Sequence, residues 1–139
     1  MSAAGSMVEP LDAAALTLDA FCDRPVAVLG LARSGIALAR FLADRGARVT
    51  VYDVRPAADL GEAIAALGGR DVRLLLGPEQ DPVAALRDEA MIATSPSVSS
   101  RFPTTEPRLR AALGAVEAEG RVPVISEADL FLRLCRAPT

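Results

Sequence analysis

Five short, almost wholly apolar runs punctuate the chain at 26–29 (VAVL), 48–52 (RVTVY), 72–76 (VRLLL), 90–94 (AMIAT) and 122–125 (VPVI). Each is followed by a segment of helical periodicity, and these predict helices over 34–44, 59–67, 83–89, 107–119 and 126–135. In the first helix Arg33, Arg40 and Asp44 share a polar stripe, while Ile36, Leu38, Phe41 and Leu42 lie elsewhere on the wheel. The helix boundaries carry their own signals. Gly46 stops the first helix, and Asp59 with Glu62 reads as a capping pair ahead of Gly68 and Gly69. Asp81 followed by Pro82 places a cap and a first-turn proline, Gly120 closes the fourth helix, and Ser126 to Asp129 reads as a capping box.

Strands that are short and apolar on both faces belong in a parallel sheet covered by helices on both sides. Right-handed crossovers between neighbouring strands then lead to an α/β fold: a single Rossmann-like, doubly wound domain with a mainly parallel five-stranded sheet. The expected domain runs over 23–139. Residues 1–10 are small and polar and read as a flexible lead-in, and 11–21 as a short helix ahead of the domain.

Composition narrows the chemistry. With 139 residues the chain suits one domain, and 51% hydrophobic with 24% charged residues is ordinary for a folded protein. It contains no His, no Lys and no Trp; all 15 basic residues are Arg. Histidine-based nucleophile systems, a Schiff-base lysine and a lysine-bearing phosphate loop are therefore excluded from this chain. Metals are left carboxylates and two distant cysteines, Cys22 and Cys135, so no metal site is expected. A net charge of −3 and few aromatic residues argue against nucleic acid as a partner. No apolar run approaches the ~18 residues of a membrane helix, and no basic segment precedes an apolar core at the N-terminus. The expectation is a cytoplasmic protein with reduced thiols and no membrane partner.

In an open parallel sheet, ligands bind beyond the carboxyl ends of the strands at the point where strand order reverses. The first strand delivers Gly30-Leu31-Ala32-Arg33-Ser34-Gly35 there. Gly30 permits a tight turn and Gly35 a close helix–sheet approach. The amides of Ala32, Arg33, Ser34 and Gly35 open a helix and suit a phosphate or diphosphate, with the Ser34 hydroxyl and the Arg33 charge in support. The same spacing also serves a purely structural strand-to-helix turn. A dinucleotide fingerprint has a second glycine where this chain has Ala32.

The second strand ends in Asp53-Val54-Arg55. Asp53 follows Gly30 by 23 positions, near the ~20 expected of an acid that reads a nucleoside. It can accept from ribose hydroxyls or from the N–H of a base, with Arg55 donating to a base carbonyl or stacking on its ring; a solvated helix cap with an exposed Arg fits as well. The fourth strand runs into Ser95-Pro96-Ser97, which lines the same edge or is plain loop. Three classes of function fit these residues: a nucleotide-sugar site, an NAD(P)-binding domain of a dehydrogenase or redox regulator, and a receiver-like signalling module. The last needs clustered acids and a lysine, which are missing.

Four segments in order, 26–35 (VAVLGLARSG), 49–55 (VTVYDVR), 92–98 (IATSPSV) and 124–131 (VISEADLF), resemble the N-terminal domain of the Mur ligases, and in particular their D-glutamate-adding branch. The resemblance runs from about residue 24 to the end of the chain. It implies a first domain that binds the UDP part of UDP-N-acetylmuramoyl-L-alanine in peptidoglycan synthesis. It further implies a second domain with a lysine-bearing phosphate loop for ATP and Mg²⁺, and a third that helps bind ATP and the incoming amino acid. ATP phosphorylates the substrate carboxylate in such enzymes, and D-glutamate attacks the acyl phosphate. By the same resemblance Ala32, Arg33 and Ser34 cradle the diphosphate beside Gly35, Asp53, Val54 and Arg55 hold the uracil, and Ser95, Pro96 and Ser97 line the pocket. The chain departs from the family at Ser97, where members commonly carry Gly. It stops where the phosphate loop of the family would follow, so the expectation is a domain that binds without catalysing, with no catalytic residue, metal or cofactor of its own.

Overall fold

The computed structural model describes residues 10–12, 18–31, 33–86, 89–94 and 107–136. Five strands, β1 (Pro25–Leu29), β2 (Arg48–Asp53), β3 (Val72–Leu76), β4 (Met91–Thr94) and β5 (Val124–Ser126), form one sheet in the order β3-β2-β1-β4-β5. Every pairing is parallel, so the sheet is wholly rather than mainly parallel. The helices alternate with them: α1 (Arg33–Asp44), α2 (Gly61–Ala66), α3 (Pro82–Leu86), α4 (Pro107–Glu119) and α5 (Glu127–Arg136). This is the doubly wound α/β architecture expected from the alternating pattern.

The period of two along β1 explains why both faces must be covered. Val26 and Val28 join a cluster with Leu38 and Leu42 of α1 and Leu130 and Leu134 of α5. Ala27 and Leu29 point the other way, into a cluster with Leu86 of α3 and Leu109 and Leu113 of α4. These four β1 residues, Val26 to Leu29, are fully buried, as a central strand requires. On the first face Phe41 and Phe131 meet edge to face, with centroids 5.7 Å apart, and join α1 to α5.

Element ends follow local chemistry. Gly46, at φ +85°, ends α1; its N–H donates to the Ala43 carbonyl at 3.0 Å and that of Ala47 to Leu42 at 3.0 Å, a Schellman stop. Asp81 caps α3, with the Val83 N–H donating to its Oδ1 at 3.0 Å. Ser126 caps α5 through its Oγ, which accepts from the Asp129 N–H at 3.2 Å.

Several boundaries differ from the sequence expectation. Asp59 does not cap α2: it ends a 3₁₀ turn (Ala57–Asp59) held by its N–H on the Pro56 carbonyl at 2.9 Å. Buried Leu60 follows, draws the chain onto the core, and occupies the position ahead of Gly61 with no side-chain cap. α3 is described as far as Leu86 and 87–88 lie outside the described residues; Glu89, expected to close the helix, is not helical and is buried beside the start of β4. β5 starts at Val124 because Pro123 offers only its carbonyl to the ladder, accepting from the Ile92 N–H at 2.9 Å. Of the expected helix over 11–21, the structure describes a 3₁₀ turn (Leu18–Phe21); 13–17 lie outside the described residues. Leu11 and Phe21 are both buried in the first-face core.

Candidate functional site

Strand order reverses between β1 and β4, and the crevice that ligands use in such sheets opens beyond their carboxyl ends. Register places Leu29 of β1 level with Tyr52 of β2 and Thr94 of β4. The residues that follow, Gly30 and Asp53, therefore stand side by side at the rim.

Gly30 leaves the strand at φ +97°, a conformation that suits glycine, while its N–H still donates to the Tyr52 carbonyl at 2.8 Å. A Cβ built on Gly35 would collide with the Gly30 carbonyl oxygen. The first turn of α1 thus rests directly on the end of β1, as the spacing of the two glycines predicts. Arg33 opens α1 and is exposed.

Asp53 closes the corner from the neighbouring strand. It is 6% exposed, and its carboxylate accepts four hydrogen bonds. Oδ2 accepts from the Leu31 N–H at 2.8 Å and from Arg55 Nη2 at 2.8 Å. Oδ1 accepts from the Arg55 N–H at 2.9 Å and from Arg55 Nε at 3.1 Å. Burial pushes the Asp53 carboxyl up, but the hydrogen bonds from the Arg55 side chain and the two backbone N–H groups outweigh it and hold it below the usual carboxylate range. The same contact raises the Arg55 guanidinium, whose side chain remains half exposed. Val54, between them, is half-buried.

A cleft of about 850 Å³ lies beside this corner, lined among others by Arg33, Arg40, Arg55, Asp59 and Glu62. Its three arginines suit an anionic ligand. A second cleft of about 800 Å³, near Pro25, Arg48 and Arg73, sits at the amino ends of the strands, away from the switch point. Among the described residues no group of three or more His, Cys, Asp or Glu side chains converges on a cation position, and no helix is long and apolar enough to cross a membrane.

Of the residues singled out in the sequence, Arg33, Gly35, Asp53, Val54 and Arg55 gather at one corner. Ala32, Ser95, Pro96 and Ser97 lie outside the described residues, as does the side chain of Ser34. Sequence reasoning missed Leu31, whose N–H ties the turn to Asp53, and Arg40, which reaches the cleft about two turns along the same face of α1 from Arg33. The seven-residue spacing of Arg33 and Arg40 was the available signal.

A family model described as the Mur ligase MurD-like N-terminal domain matches residues 24–117. The chain belongs to this family. MurD-like sequences from several bacteria align with most of it. The UDP-N-acetylmuramoylalanine–D-glutamate ligase of Pelobacter propionicus is 41% identical over 116 residues, 84% of this chain and 24% of the relative. That of Trichlorobacter lovleyi is 38% identical over 111 residues, 80% of this chain and 22% of the relative. This MurD-like domain therefore spans about a quarter of the length of these curated relatives. Among solved structures, a dipicolinate synthase subunit from Bacillus halodurans aligns with a TM-score of 0.48 at 22% identity, covering 81% of this chain and 45% of that one.

Proposed function

We propose that this MurD-like domain binds the UDP end of UDP-N-acetylmuramoyl-L-alanine, as the first domain of an ATP-dependent, amide-forming ligase that adds D-glutamate in peptidoglycan synthesis in the cytoplasm. The observation that carries the reading is the corner where Gly30, Gly35 and Asp53 meet beside an arginine-lined cleft, in a chain of this family.

In this reading the diphosphate rests at the amino end of α1, on the backbone of Ala32, Arg33, Ser34 and Gly35, with the Ser34 hydroxyl and the Arg33 charge adding to the helix field. The uracil lies against Asp53, Val54 and Arg55, and Ser95, Pro96 and Ser97 line the remaining wall. Asp53 has its acceptors engaged, so it acts chiefly by holding Leu31 and Arg55 in place. Arg55 commits two of its five side-chain N–H groups to Asp53 and keeps three for a base carbonyl.

The residues of this chain do not fit an ATP–Mg²⁺ centre. Acyl-phosphate formation calls for positive charge at the transferred phosphoryl group, typically a lysine and Mg²⁺, and the chain holds no Lys. The proposal leaves that chemistry to the rest of the ligase and gives this domain no catalytic residue. Titration calorimetry with UDP, UDP-N-acetylmuramoyl-L-alanine and NAD⁺ tests it. Heat is expected with both uridine ligands; heat with NAD⁺ alone, or with none of the three, overturns it. ATP hydrolysis by this chain alone would overturn the assignment of catalysis to other domains.

A further inference from the structure

We infer that Arg55 determines the ligand class of the site by keeping the Asp53 carboxylate closed to a ribose diol, so that the pocket rejects adenine dinucleotides; the inference rests on the uridine reading above. In doubly wound domains that bind NAD, an acid at the end of the second strand accepts hydrogen bonds from the adenosine ribose. Asp53 occupies that place: it is the last residue of β2, one strand over from the glycine turn. A carboxylate has about four acceptor positions. Here all four are taken, two by backbone N–H groups and two by the fork of Arg55 Nε and Nη2.

The guanidinium fork therefore occupies one position on each carboxylate oxygen, a pair that a vicinal diol would otherwise engage. The backbone donors Leu31 and Arg55 hold the carboxylate in place whether or not the fork is present. Arg33 and Arg40, across the cleft, attract the diphosphate of either ligand class and so do not discriminate between them. Asp59 and Glu62, the acids on the same cleft, face solvent. The selective element is thus a repulsive one: a dinucleotide must displace a charge-assisted bidentate pair to place its ribose, whereas a uracil meets the unused donors of the same side chain.

The test compares Kd for UDP, NAD⁺ and NADP⁺ in the wild-type chain, in Arg55→Ala and in Arg55→Ala/Asp53→Asn. Loss of positive charge alone would weaken all three ligands together. The expected result is NAD⁺ binding tighter by about tenfold or more in Arg55→Ala, whatever affinity for UDP is lost with the uracil contact. The gain should be confined to NAD⁺, because the 2′-phosphate of NADP⁺ repels the uncovered carboxylate, and it should disappear in the double variant. Arg55→Lys keeps the charge without the fork and is expected to tighten NAD⁺ binding by less, which guards against a poorly folded alanine variant. NAD⁺ affinity that does not rise, or a gain shared equally by NADP⁺, overturns the inference. A wild-type chain that fails to bind UDP strikes the uridine reading instead, and the NAD⁺ gain in Arg55→Ala still decides the role of Arg55.

Discussion

Gly35 has no room for a side chain because the carbonyl oxygen of Gly30 sits where its Cβ would be. The two glycines fix the seat of α1 on β1, and with it the position of any anion held at the helix start. Gly35→Ala is expected to lower stability by about 3 kcal/mol or more, since backbone rather than a flexible side chain must yield. Urea unfolding followed by circular dichroism measures it. A loss within about 0.5 kcal/mol would mean that the turn relaxes freely and does not hold the site.

Removing the carboxylate of Asp53 leaves the Leu31 N–H without its partner beneath the turn. Asp53→Ala should cost about 1–3 kcal/mol of stability and weaken uridine nucleotide binding by about 1–3 kcal/mol. Melting curves and calorimetry on the same samples separate the two effects. Unchanged affinity would show that the base is not recognised through this corner.

Acid sensitivity follows from the same residue. Its carboxyl is held below the ordinary value in the fold, against burial, by the Arg55 side chain and two backbone N–H groups. A depressed carboxyl contributes stability above its unfolded value of about 3.9, and the contribution is lost as pH falls through the folded value. The urea midpoint should therefore fall below about pH 4, and fall less steeply in Asp53→Asn. Asp44 is lowered as well, by the side-chain hydrogen bond from Arg70. It is exposed, so added salt should shrink its share while sparing that of Asp53.

Leu38 and Leu113 are each fully buried, on opposite faces of the sheet. Truncation of either to Ala should cost about 2–5 kcal/mol. The two belong to separate apolar clusters, so the double variant should show the sum within about 0.5 kcal/mol. Strong coupling would mean that the sheet transmits strain between its faces.

The parallel sheet was legible because five apolar runs alternate with amphipathic segments; β3 and α4 begin and end where the pattern puts them. Gly30 and Gly35 were legible as a turn because spacing alone constrains such a pair. Asp53 was readable as a rim acid, but its engagement with Leu31 was not, since a hydrogen bond across 22 positions leaves no local pattern. Asp59 misled because a good capping residue competes with a buried one: Leu60 fixes where α2 begins. Leu11 and Phe21 were hidden by sitting outside the strand–helix rhythm.

Those two side chains separate the limits of homology from the limits of cooperative folding. The family match begins at residue 24, yet Leu11 and Phe21 fill the first-face core and the Leu11 N–H donates to the Ala90 carbonyl at 2.8 Å. Excising the recognisable segment at its homologous border would strip a wedge from under the sheet. Expression boundaries for this domain belong upstream of residue 11.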